Sequence, residues 1–115
     1  VDLLLVPEVR HGTLGAGVVH HVAFRTPDDA QQAAWHKIIA GIGLNVSPVM
    51  DRCYFHSIYY REPGGVLFEI ATSNPGFTAD QPAAELGQKL ILPPWLEPQR
   101  AEIQQAVPPI QLPVI

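Results

Sequence analysis

The sequence predicts an α+β fold: a βαβββ unit whose single helix covers one face of a small antiparallel sheet, followed by a Pro-rich tail. Three observations carry this. A capped amphipathic helix follows an apolar strand, three further β-like runs come after it, and most of the twelve prolines fall in the last third of the chain.

Residues 1–6 form a short apolar run that reads as a strand ended by Pro7, and glycines and polar residues make 8–17 a loop. The first strand of the unit spans 18–25, rich in β-branched and apolar residues. Its pleat puts His21, Ala23 and Arg25 on one face and His20, Val22 and Phe24 on the other. Thr26 is placed as a helix N-cap, with Pro27 in the first turn and Asp28 and Asp29 at the positive end of the dipole. Ala34, Trp35, Ile38, Ile39 and Ile42 then repeat at helical spacing, an apolar stripe that reads as core, and Gly41 and Gly43 end the helix. A strand over 44–50 carries Pro48, which places it at an edge or bulge. After a turn at Asp51-Arg52, strands over 53–61 and 66–72 are joined by Glu62-Pro63-Gly64-Gly65. Residues 77–115 are punctuated by proline, with a short helix over 97–106 expected to pack on the sheet or on a neighbour. The organisation expected is therefore linker or strand from a preceding module (1–17), the βαβββ unit (18–76) and the tail (77–115).

A chain of 115 residues, 47% hydrophobic and 16% charged, builds one modest core. A net charge of −4 offers no basic stripe for nucleic acid or an anionic membrane. No apolar run is long enough to span a bilayer, and Asp2 with the short run Leu3-Leu4-Leu5-Val6 does not match a signal peptide. The lone Cys53 cannot form an internal disulfide, reads as a small apolar residue, and fits a cytoplasmic protein. The opening Val1-Asp2 lacks a start methionine, so a piece of a longer chain is expected.

Parity assigns the chemistry. Val66, Phe68 and Ile70 claim the helix face of the last strand, which turns Leu67, Glu69 and Ala71 to the open face. Val22 and Phe24 likewise turn His21 to the Glu69 side. A carboxylate there reaches solvent or has a cationic partner, because burial unpaired is too costly. With the hairpin tip near Gly64, Tyr59 stands across from Glu69; a one-residue slip would put Tyr60 there. His56 shares a face with Ile58 and reads as structural or surface, and His11 and His36 as solvated. Taken singly, His21 also fits a hydrogen-bonded structural group and Glu69 an exposed edge residue.

Ile58-Tyr59-x-x-Glu62-Pro63-x-Gly65 followed by Glu69 resembles the second half of the type I extradiol dioxygenase signature. The run from His21 to Asp28 resembles the opening of a vicinal oxygen chelate module, of the superfamily that also holds glyoxalase I and bleomycin-resistance proteins. Asp51-Arg52-x-Tyr54-Phe55-x-Ser57-Ile58-Tyr59, the run from Phe68 to Thr72, Asn74-Pro75-Gly76-Phe77 and the tail run from Leu90 to Leu96 resemble a ring-cleaving branch with hydroquinone-type substrates. The resemblance implies a βαβββ vicinal-oxygen-chelate module, the C-terminal part of a dioxygenase that inserts O₂ into an aromatic diol. It implies His21 and Glu69 as ligands to Fe(II), or Mn(II), and Tyr59 as a catalytic residue. Arg25 reads as a contact for an anionic substrate or as a surface ion-pairing residue.

Two features depart from the pattern. Met50, Asp51 and Arg52 stand where the signature has a histidine, and His56 is too close to replace it. A 2-His-1-carboxylate site also needs a second histidine from outside this chain, supplied by a preceding module or a second copy. The fragment alone is then expected to be inactive. The alternatives are a glyoxalase I-like lyase or isomerase using the metal as Lewis acid, and a non-catalytic bleomycin-resistance-like binding protein with a dry aromatic cavity.

Overall fold

The structure, a computed structural model, describes residues 2, 4–9, 12–109 and 111. Residues 1 and 3 of the first expected strand and the loop residue His11 lie outside these, and residues 2 and 4–6 are in no strand. Element order is β1 (Val22–Thr26), α1 (Asp29–Gly41), β2 (Met50–Asp51), β3 (His56–Arg61), β4 (Leu67–Thr72) and, in the tail, α2 (Arg100–Ala106). This is the βαβββ unit with α1 on one face. The sheet runs β1-β4-β3-β2. It is antiparallel across β2, β3 and β4, as expected, and β1 joins it parallel to β4.

Helix α1 starts later than Thr26. Thr26 is still in β1, paired with Thr72, and its carbonyl accepts from the Ser73 hydroxyl instead of from a helical N–H; Asp28 becomes the cap, accepting from the Gln31 N–H at 2.8 Å. The C-terminus closes as the glycines suggested: the Ile42 and Gly43 N–H groups donate to Ile38 and Ala40, and Gly43 takes φ 85°.

The strand expected over 44–50 is reduced to Met50–Asp51 and one isolated bridge between Val46 and Tyr60. Pro48 has no N–H to donate. Ser47 covers the gap, its N–H donating to the Tyr59 carbonyl at 2.8 Å and its hydroxyl accepting from the Tyr59 N–H at 3.0 Å. β3 begins at His56 rather than 53 because Cys53 lies at φ 66° and the Arg52 N–H bonds back to Phe55. The β3–β4 turn is held by Glu62, whose carboxylate accepts from the Gly64 and Val66 N–H groups at 2.8 and 2.7 Å. Those bonds hold the Glu62 carboxyl below its ordinary range, the Gly64 one contributing most.

Ile39, Ile58 and Ile70 form the core, with Leu44, Val46 and Tyr60 packed around them. The helical stripe is core only in part. Ile39 is buried, whereas Trp35, Ile38 and Ile42 remain exposed and line an apolar groove with Phe24 and Phe68. Among the described residues β1 is the edge of the sheet, and no further strand extends beneath them. Between helix and sheet lies the buried Gln32, whose amide donates to the carbonyls of His56 and Ile70, both at 2.8 Å. The tail is anchored at its start, where the Gly76 N–H donates to Tyr54 and the Tyr54 hydroxyl donates to Asp80 at 2.9 Å. The helix expected over 97–106 appears as a 3₁₀ turn (Pro94–Gln99) running into α2. Among the described elements α2 packs on that turn and not on the four strands.

Candidate functional site

The hairpin register decides between the two tyrosines. Tyr59 pairs with Glu69, and Tyr60 with Phe68 on the helix face. Ser57, Tyr59, Glu69 and Ala71 therefore share the open face, and Ala23 stands beside Glu69 across the β1–β4 pairing. His21, immediately before β1, brings Nε2 to 2.8 Å from Glu69 Oε2. The Tyr59 hydroxyl donates to Glu69 Oε1 at 2.8 Å, and Ser57 Oγ donates to the same oxygen. Three of the four residues singled out from the sequence, His21, Tyr59 and Glu69, thus meet at one carboxylate, and Arg25 does not join them.

Glu69 is only 4% exposed, and leaving such a carboxylate without partners costs several kcal/mol. Two hydroxyls and an imidazole meet that cost. Around them stand two residues that parity did not place at the site. Parity puts His20 on the helix face, yet its Nδ1 lies 2.9 Å from His21 Nδ1; β1 begins only at Val22, so the pleat governs neither histidine, and His21 reaches Glu69 from just outside the strand. The Arg52 guanidinium lies over the Tyr59 ring, 5.4 Å from its centroid. Ser57 was legible by the parity that placed Tyr59, standing two residues earlier on the same strand.

His56 lies off the site. Its Nδ1 is 2.6 Å from Asp29 Oδ1, at the start of α1, and Asn74 reaches the other oxygen at 3.4 Å. The His56 hydrogen bond holds the Asp29 carboxyl below its ordinary value. Arg25 has no ion-pair partner among the described residues. It lines a cavity of about 410 Å³ at the carboxyl ends of β1 and β4, walled by Ala23, Tyr54, Phe55 and Phe77.

An imidazole nitrogen beside a carboxylate oxygen is a donor pair that suits a divalent first-row metal. Among the described residues no group of three His, Cys, Asp or Glu side chains could hold an ion. The pair is chemically suited to hold two positions of a metal centre, and no third ligating side chain stands beside it among the described residues.

The sequence profile of the Glyoxalase/Bleomycin resistance protein/Dioxygenase superfamily matches residues 1–70. The chain belongs to this superfamily. Within it, the chain is 47% identical over 112 residues to “Putative ring-cleaving dioxygenase MhqO” of Bacillus subtilis, covering 97% of this chain and 36% of that protein. It is 53% identical over 108 residues to “Putative ring-cleaving dioxygenase MhqE” of the same organism, covering 94% and 35%. It is 42% identical over 106 residues to the chlorohydroquinone/hydroquinone 1,2-dioxygenase of Sphingobium indicum, covering 90% and 33%. A crystal structure titled as a putative dioxygenase from Bacillus subtilis superposes with a TM-score of 0.84 at 47% identity, covering 89% of this chain and 33% of that one. This superfamily chain spans about a third of the length of the curated relatives it matches. No helix among its described residues is long and apolar enough to cross a membrane.

Proposed function

We propose that this chain is the C-terminal part of a cytoplasmic ring-cleaving dioxygenase that inserts O₂ into an aromatic diol of the hydroquinone or catechol type. The observation that carries the reading is the convergence of His21 Nε2 and the Tyr59 hydroxyl on the buried Glu69 carboxylate. It is supported by 42–53% identity to proteins named as ring-cleaving or hydroquinone dioxygenases. His21 and Glu69 are two ligands of a non-haem Fe(II) centre, Mn(II) being the other metal the donor set admits. The third ligand is a histidine of a preceding module or of a second copy. Held by His21 and Glu69 with that histidine, the metal would supply a Lewis acid toward the diol oxygens and a site for O₂ beside them.

The rest of the work falls to side chains of this chain. Tyr59, beside the ligand carboxylate, holds or passes a proton at the substrate hydroxyl through its phenolic oxygen. Arg52 fixes the Tyr59 ring from one side. The aromatic walls Tyr54, Phe55 and Phe77 suit a flat ring in the adjoining cavity, and Arg25 offers an anionic substituent a cation. Without the outside histidine the isolated chain is inactive.

The test is to purify the native full-length protein, determine its metal content, and measure oxygen uptake with hydroquinone and catechol. Bound iron or manganese and substrate-dependent uptake are expected. A metal-free protein that consumes no oxygen with either diol would remove the proposal.

A further inference from the structure

We infer that Ser57 is a positioning residue: it pins Glu69 Oε1 and so fixes Oε2 as the carboxylate oxygen presented to the metal. The inference rests on the reading of Glu69 as a ligand. A carboxylate turns easily about its last torsion and its two oxygens are equivalent, so a ligand glutamate needs something that holds its plane with one oxygen turned outward. Here both hydroxyl donors, Ser57 Oγ and Tyr59 OH, fall on Oε1, and Oε2 is left facing His21 Nε2 at 2.8 Å.

The two donors are not equivalent. Tyr59 is half-buried and is the group assigned to the substrate, so its bond to Oε1 is one it must exchange. Ser57 is 0% exposed, packed on the sheet one diagonal step from Glu69, and out of reach of any substrate. Its hydroxyl is therefore the donor that stays while Tyr59 turns to other work. Hydrogen bonds of this kind to metal-ligating carboxylates commonly contribute about ten- to a hundredfold in metal affinity.

The experiment uses the native full-length protein, stripped of metal, with Co²⁺ as probe, and reads the dissociation constant and the visible spectrum of bound Co²⁺. Ser57→Ala is paired with Ser57→Val, which fills the site without a donor or a metal ligand, and both are measured where melting curves show folded protein. About ten- to a hundredfold weaker Co²⁺ binding with a shifted spectrum is expected from either variant. A merely structural serine would lower the melting temperature and leave affinity and spectrum as in the wild type, and that result from either variant overturns the inference. Glu69→Gln separates this from the underlying reading. If it loses Co²⁺ while the Ser57 variants keep it, only the role of Ser57 falls. If it binds Co²⁺ normally, the ligand assignment itself has failed and the inference with it.

Discussion

Replacing Glu69 by Gln and by Ala should separate what the carboxylate does for the fold from what it does for the site. In Glu69→Ala the fully buried Ser57 hydroxyl and the Tyr59 hydroxyl lose their acceptor. An unsatisfied buried hydroxyl costs about 1–3 kcal/mol, with a further contribution from the emptied space. Tyr59 is only half-buried and recovers part of its loss from water. The sum is a destabilisation of about 2–4 kcal/mol. Glu69→Gln keeps an oxygen for both hydroxyls and sets an N–H against His21, while removing a charge from a site that is 4% exposed. Weaker neutral hydrogen bonds and a smaller desolvation cost oppose each other, so stability should change by no more than about 1 kcal/mol. Urea denaturation of the metal-free full-length protein measures both. Equal losses in the two variants would refute the reasoning, because they would mean that the charge, and not the acceptor geometry, holds this part of the sheet.

Three further outcomes follow from the same geometry. Gln32→Ala should destabilise by about 1–3 kcal/mol in urea melts, since it frees a buried carbonyl of Ile70 and a part-buried one of His56 that tie α1 to β4 and β3. His56→Ala should leave Co²⁺ affinity within about twofold of wild type, and in a carboxylate NMR titration Asp29 should move back up towards its ordinary value as the His56 bond is lost. Glu62 has a folded value below its unfolded one, so its contribution is present above the unfolded value and lost as pH falls through the folded one. Hairpin amide protection at Gly64 and Val66 should accordingly weaken in that acid window, and Glu62→Ala should remove the pH dependence.

Much of this arrangement was legible because strand parity is rigid. The Glu62-to-Gly65 turn left Tyr59 or Tyr60 across from Glu69 and the observed pairing settles on Tyr59, whereas parity alone takes His56 off the Tyr59 face. The βαβββ order followed from equally local signals, the helix caps and the Pro-Gly turn. What escaped lay where local rules stop. His20 stands outside the strand, so its contact with His21 comes from a loop path that no period describes. Thr26 lost the cap to Asp28 because its backbone is spent on the ladder with Thr72 and on the Ser73 hydroxyl, a tertiary effect. Trp35, Ile38 and Ile42 have the spacing of core residues, but spacing does not reveal that β1 is the last strand of the sheet. The 44–50 strand shrank because Pro48 interrupts its ladder, and Gln32 gave no sign of the carbonyls it would bridge.

The central claim is that His21 and Glu69 hold one metal ion between them. Crystals of the full-length protein loaded with Fe(II), measured at the iron absorption edge, address it without recourse to activity. The account predicts an anomalous peak within bonding distance of His21 Nε2 and Glu69 Oε2, completed by a histidine from outside these 115 residues. Iron bound elsewhere, with His21 and Glu69 still paired to each other, would contradict it.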